Sequence, residues 1–190
     1  DTVFATGLAA NVYAGSGDDV VMALGASAMV NAGSGYNMVY AGGVSATVYA
    51  GSGSDTIYAG GLSARVYAGG GSNQIYAGGL YAEVETGSGN DLIYSGGAYS
   101  SVEAGDGNNK VYAGGGYSTV RTGSGSDYIL SIAAANSIYS GAGDDTLISV
   151  GGGNSMYGGS GDDVMIGVGA AVNMMYGESG SNVMIGVGAY

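Results

Sequence analysis

The chain has no cysteine, no proline and no histidine, and its 190 residues hold only three basic side chains, Arg65, Lys110 and Arg121. Without cysteine, no disulfide holds the fold and the redox compartment cannot be read from thiols. Without histidine or cysteine, the commonest general base and the thiol nucleophile are missing. Three scattered cations cannot neutralise a row of phosphates, so nucleic acid is excluded as a partner. No apolar run approaches the ~18 residues that a transmembrane helix needs. Collagen is ruled out, because the glycines carry no three-residue period and there is no proline.

What is present is glycine, 42 residues of it, and a net charge of −12. Such an acidic chain suits divalent cations, or stays soluble by self-repulsion. Disorder is not expected, because Val, Ile and Leu recur at fixed positions.

The recurrence has a period of 18 residues. Gly51-Ser52-Gly53-Ser54-Asp55-Thr56-Ile57-Tyr58 returns as Gly15-Ser16-Gly17-Asp18-Asp19, Gly87-Ser88-Gly89-Asn90-Asp91 and Gly159-Ser160-Gly161-Asp162-Asp163. A last copy, Glu178-Ser179-Gly180-Ser181-Asn182, comes one residue late, which places a single insertion near Asn173-Met174. A period sustained over the whole length marks a repeat architecture. We therefore treat residues 1–190 as one repeat segment, and expect it to be part of a longer repetitive protein.

Each period splits into two halves, and each half is a glycine-rich turn followed by a short strand with period-two alternation. Such a strand cannot bury its apolar face alone. Winding the halves into a coil brings two apolar columns together, one from Val3, Val21 and Val39 to Met165 and Met184, the other from Val12, Val30 and Val48 to Met156 and Met175. β-Branched side chains suit this pleated stacking. The expected fold is all-β, a parallel β-solenoid or β-roll of about ten coils with two short strands per coil. Glycine at this density excludes helices.

The halves resemble the nonapeptide Gly-Gly-x-Gly-x-Asp-x-(large apolar)-x of the RTX (repeats-in-toxin) family. Gly141-Ala142-Gly143-Asp144-Asp145-Thr146-Leu147 and Gly158-Gly159-Ser160-Gly161-Asp162-Asp163-Val164-Met165 carry the resemblance best. It implies a right-handed β-roll that binds Ca²⁺ between successive turns, in secreted bacterial toxins, exoenzymes, adhesins and surface proteins. The metal-type position is filled by Asp1, Asp19, Asn37, Asp55, Asn73, Asp91, Asn109, Asp127, Asp145, Asp163 and Asn182. The opposite edge departs from the family, with Ala28, Ala46, Ala64, Ala82, Ser100, Ser118, Asn136 and Asn154 where its Asp belongs. Calcium is therefore expected along one edge only.

Two carboxylates ~4.8 Å apart repel by about 0.9 kcal/mol in water and about 3.5 kcal/mol at an effective dielectric of ~20. Asp127, Asp145 and Asp163 are consecutive in the column, so calcium is expected to bind most strongly there and more weakly in the mixed Asp/Asn coils. The alternative is a hydrogen-bonded Asp/Asn ladder that caps the turns without metal.

Outward of the core lies a second periodic column that includes Phe4, Tyr40, Tyr58, Tyr76, Tyr94 and Tyr112. It reads as a self-stacked aromatic ladder or as a surface for self-association or another packing partner. The other face, with Glu85, Glu103 and Arg121, is expected to be solvated at its middle, with Glu103 and Arg121 as a weak ion pair. Paired carboxylates recur with the repeat, whereas a catalytic site is one unrepeated constellation, so no enzyme activity is expected. The sequence points to a non-catalytic, calcium-binding structural or adhesive module of a secreted protein, or to the repeat region of a large secreted toxin or exoenzyme.

Overall fold

The computed structural model describes residues 1–188. Fifteen strands form one continuous parallel sheet wound into a solenoid, and each coil pairs with the next at the spacing of the sequence repeat. Val3 lies beside Val21, Val21 beside Val39, Val39 beside Ile57 and Ile57 beside Ile75.

The period-two alternation directs every second side chain inward. Val21, Val39, Ile57, Ile75 and Ile93 on one face, and Val30, Val48, Val66 and Val102 on the other, are fully buried. Alanine and serine fill the corners between them, as at Ala50, Ala68 and Ser140. Each buried Val or Ile stabilises the coil by roughly 1.5–3 kcal/mol, and no single coil could form this core alone. Both apolar columns thus form the core as expected, with Val3 and Met175 partly buried and Met184 about half exposed in the outermost described coils.

The two corners of the coil differ. The Asp/Asn corner is a turn in every coil. At the other corner, six coils run through as single strands, Thr2–Tyr13, Val20–Asn31, Gln74–Thr86, Leu92–Glu103, Lys110–Arg121 and Tyr128–Tyr139. Elsewhere the coil divides in two, as in Met38–Gly42 with Ser45–Tyr49 and Thr146–Val150 with Gly153–Tyr157.

The extra residue lies slightly upstream of its expected position. Val150 pairs with Val168 and Asn154 with Asn173, so the pairing offset changes between Val168 and Asn173, ahead of the strand Asn173–Tyr176. A corner can absorb one residue, whereas an insertion within the strand would send every later side chain to the wrong face.

Candidate calcium-binding edge

The Asp/Asn corner holds its column through glycine geometry. Gly53 has φ 122°, and a Cβ there would lie 2.0 Å from the Gly35 carbonyl oxygen of the preceding coil. Only glycine permits this close stacking of turns. The turn then directs Asp55 back beneath the coil, where it is buried.

Asp19, Asn37, Asp55, Asn73, Asp91, Asn109, Asp127, Asp145 and Asp163 are all buried in one line. Asn182 is half-buried at the end of the line and Asp1 is exposed at its start. Each rung is tied to the next in the same way. The backbone N–H of one residue donates to the side-chain Oδ1 of its counterpart one coil on, from Asp19 to Asn37 at 3.1 Å through Asn73 to Asp91 at 2.7 Å to Asp163 to Asn182 at 2.8 Å. Asp1 joins the pattern through its amino group, which donates to Asp19 Oδ1.

The second side-chain atom separates Asp from Asn. The Nδ2 groups of Asn37, Asn73 and Asn109 donate to the carbonyls of Gly35, Gly71 and Gly107, at 3.4, 3.1 and 3.0 Å. The corresponding Oδ2 atoms of Asp19, Asp55, Asp91, Asp127, Asp145 and Asp163 are buried with no hydrogen-bond partner. An amide satisfies this corner and a carboxylate does not. A buried oxygen without a donor is costly.

Burial accordingly pushes the Asp55, Asp91, Asp127 and Asp163 carboxyls above the ordinary carboxylate range, against the opposing pull of the backbone N–H bonds they accept and, at Asp127 and Asp91, of the nearby Thr122 and Thr86 hydroxyls. Asp145 is pushed up to about 6, first by burial and further by the charges of Asp127 and Asp163 on either side. An unpartnered buried oxygen and a raised pKa are what a carboxylate shows when neither a donor nor a positive charge adjoins it.

Three hydroxyls near this edge were not singled out from the sequence. Thr86, Thr122 and Ser140 approach Asp91, Asp127 and Asp145, but donate to the carbonyls of Ala104, Ser140 and Gly158. Before Asp163 the equivalent position is Gly158, where a Cβ would come within 2.2 Å of Asp163 Oδ2. A hydroxyl five residues ahead of the Asp was the available signal.

A second ladder, also missed, runs along the outside of the same turn in the opposite sense. Here the backbone N–H donates to the preceding coil, Asn108 to Asn90 at 2.8 Å, Ser126 to Asn108 at 2.9 Å and Asp162 to Asp144 at 2.9 Å. Asp106 accepts both the backbone N–H and the hydroxyl of Ser124, which hold its carboxyl below the usual range. The signal was the run of Asp, Asn and Ser immediately before each column residue.

The described residues contain no group of three or more acidic, His or Cys side chains that could hold a metal. Each coil contributes at most one inner carboxylate, and the Asn coils none, so a calcium ion, which takes six to eight oxygens, would need the glycine carbonyls of the turn as well. That donor set is all oxygen, and it includes carbonyls already seen accepting from Asn Nδ2. The residues therefore fit a hard divalent cation.

The opposite corner has no carboxylate and closes on itself. Asn136 Nδ2 donates to Asn154 Oδ1 at 2.8 Å, and Asn154 Nδ2 to Asn173 Oδ1 at 2.6 Å. Ser131 and Ser149 donate to the same Asn136 and Asn154 oxygens. These Asn and Ser groups are mutually satisfied, although Ser118 Oγ on the same corner is buried without a partner.

The profile of the RTX calcium-binding nonapeptide repeat (4 copies) matches residues 40–61, 103–131, 121–154, 139–169 and 148–184. The chain belongs to the RTX calcium-binding repeat family. No curated protein and no solved structure matches it. The matched segments of this RTX repeat include Asp55 and the consecutive aspartates Asp127, Asp145 and Asp163.

On the outer faces of the RTX solenoid, Tyr40, Tyr58, Tyr76, Tyr94 and Tyr112 stack with ring centroids 4.8–5.0 Å apart. The expected Glu103–Arg121 ion pair is not formed. The two residues are register neighbours, but Arg121 places its guanidinium over the Tyr139 ring, 4.9 Å from the centroid. The negative face of the ring attracts the cation, and both groups remain exposed. Arg65 and Glu83 make a solvent-exposed pair at 3.0 Å instead.

Proposed function

We propose that this RTX repeat is a calcium-stabilised structural rod, with its ions held along the Asp/Asn edge by Asp19, Asp55, Asp91, Asp127, Asp145 and Asp163. Asp1, Asn37, Asn73, Asn109 and Asn182 act as the neutral or terminal members of the same column. The observation that carries this reading is the row of buried Oδ2 atoms without partners, each at the place where an Asn makes a hydrogen bond. A cation shared between carboxylate and glycine carbonyls supplies the missing partner. Affinity is highest at Asp127, Asp145 and Asp163, where three carboxylates are stacked without an intervening amide.

The setting that fits is extracellular. RTX repeat proteins are generally secreted, and a fold that waits for calcium remains open where calcium is scarce and closes outside the cell. In that setting the rod serves as a structural or adhesive element of a surface protein or fibre, and the solenoid itself performs no catalysis. Circular dichroism and calorimetry across a calcium titration, with EGTA reversal, test this. Folding or melting that tracks calcium is the expected result. Identical spectra and melting with calcium and with EGTA would reject it.

A further inference from the structure

The tyrosine ladder stands beside a column of glycines that the solenoid itself does not require. Two residues after Tyr40, Tyr58, Tyr76, Tyr94 and Tyr112 come Gly42, Gly60, Gly78, Gly96 and Gly114. Unlike the turn glycines, none of these has a positive φ. A Cβ at Gly60 or Gly96 would meet nothing within 4 Å, and at Gly78 or Gly114 only an ordinary contact at 3.7 Å. At Gly42 it would lie 3.2 Å from Leu24 Cδ2, the far end of a flexible side chain. Neither backbone conformation nor crowding accounts for the other four, and glycine inside a strand weakens it.

The two columns change together. Where the outward residue is Phe4, Met22, Leu130, Ile148, Ile166 or Ile185, the position two residues on is Thr6, Leu24, Ile132, Val150, Val168 or Val187. Glycine occurs only beside tyrosine. The rings do not fold over their own glycines, since the space above Gly60 and Gly96 is open. Instead Tyr76, Tyr94 and Tyr112 wall an apolar trough of about 530 Å³ over Gly78, Gly96 and Gly114, and Ile132 closes one end. Stacked tyrosines elsewhere also have glycines two residues on, Gly51 and Gly69 after Tyr49 and Tyr67 and Gly141 and Gly159 after Tyr139 and Tyr157, but those are turn glycines whose positive φ accounts for them.

We infer that this face pairs with the same face of a second copy, each tyrosine ladder seating in the glycine trough of its partner. Ladder and trough have the same coil spacing and lie side by side, so a two-fold axis parallel to the rod and midway between them exchanges one for the other. This is the self-complementarity of an isologous interface. Successive rings are tilted by only 1–8°, which keeps the ladder straight enough to engage along its length.

Charge and area agree with a second copy. In a chain of net charge −12, the three outward columns of this face, headed by Thr2, Phe4 and Thr6, carry one charged residue, Lys110. The whole face, about 50 Å long and ~15 Å wide, would bury about 750 Å² per copy, of which the five Tyr/Gly coils supply roughly half and the apolar coils on either side the rest.

Sedimentation equilibrium in calcium tests the pairing. The wild-type chain is expected at twice 18.3 kDa. Replacing Gly78→Val and Gly96→Val fills the trough without touching the coil, and is expected to weaken association by roughly 10- to 100-fold while circular dichroism is retained. A separate check uses the absence of native cysteine. A Tyr76→Cys chain mixed with a Gly78→Cys chain should form a disulfide-linked pair under mild oxidation, whereas either variant alone should not. A monomeric wild type, a dimer insensitive to the valine substitutions, or equal cross-linking of either single variant would each overturn the inference.

Discussion

Asn37 and Asp55 occupy neighbouring rungs of one ladder, with the Asn37 backbone N–H donating to Asp55 Oδ1 at 2.8 Å. Beyond that bond they differ. Asn37 gives its amide to the Gly35 carbonyl, and Asp55 Oδ2 is buried with no partner. The alternation along this edge is therefore between amides satisfied within the turn and carboxylates with one oxygen unpartnered.

Replacing Asp55→Asn should convert the second kind into the first. The metal-free chain is expected to gain about 1–3 kcal/mol, the cost of an unsatisfied buried oxygen. The stabilisation by calcium should shrink in parallel. Melting curves of wild type and variant, each with calcium and with EGTA, measure both changes. A variant that is less stable than wild type in EGTA would contradict the role assigned to Oδ2.

The pH dependence of the metal-free rod follows from Asp145. Its carboxyl is raised to about 6 in the folded chain, against an unfolded value of about 3.9. The folded state then binds the proton more tightly, so its contribution is fully present below about pH 4 and is lost as pH rises to about 6. Asp55, Asp91, Asp127 and Asp163 are raised in the same direction by burial. The melting temperature in EGTA should fall over this window. With saturating calcium the trend should reverse, because the ion binds the deprotonated form. A melting temperature in EGTA that rises from pH 4 to pH 6 would contradict the assignment.

Two glycine-to-alanine substitutions should have opposite consequences. At Gly53, φ 122° and a Gly35 oxygen 2.0 Å from the new Cβ force the turn open, so a loss of more than about 1 kcal/mol is expected. At Gly96 the added methyl meets open space on an extended strand, and a gain of about 0.4–1 kcal/mol is expected. Denaturant unfolding of the two variants, at a protein concentration low enough to keep the chain monomeric, distinguishes them. Equal effects would mean that the turn does not impose the strain described for Gly53.

Much of the molecule was legible because each residue's spatial neighbours lie one repeat away. Once the period is known, Val39 must sit between Val21 and Ile57, and Asp145 between Asp127 and Asp163. The Asp/Asn column, the core columns and the tyrosine stack followed from that arithmetic. The direction of individual atoms did not. Arg121 was placed beside Glu103 correctly, yet its guanidinium turned to Tyr139, because register sets which residues are adjacent but not which rotamer is adopted. Thr86, Thr122 and Ser140 were passed over because the corner position they share is usually filled by alanine. The insertion was drawn towards Asn173-Met174 by sequence matching, which has no means of preferring a corner to a strand.

By itself, then, the sequence determined the period, the β-solenoid, the apolar columns and the edge on which carboxylates accumulate. Those depend on residue type and spacing, and a strict repeat makes both visible. The tertiary structure decided which atoms of that edge are satisfied, since Asn and Asp share a shape and differ in charge and in whether the second atom can donate to a glycine carbonyl. It also divided the glycines into those the turns require, such as Gly53, and those the chain does not need, such as Gly96. That distinction rests on a dihedral angle and on the distance to the preceding coil, and neither is written in the composition.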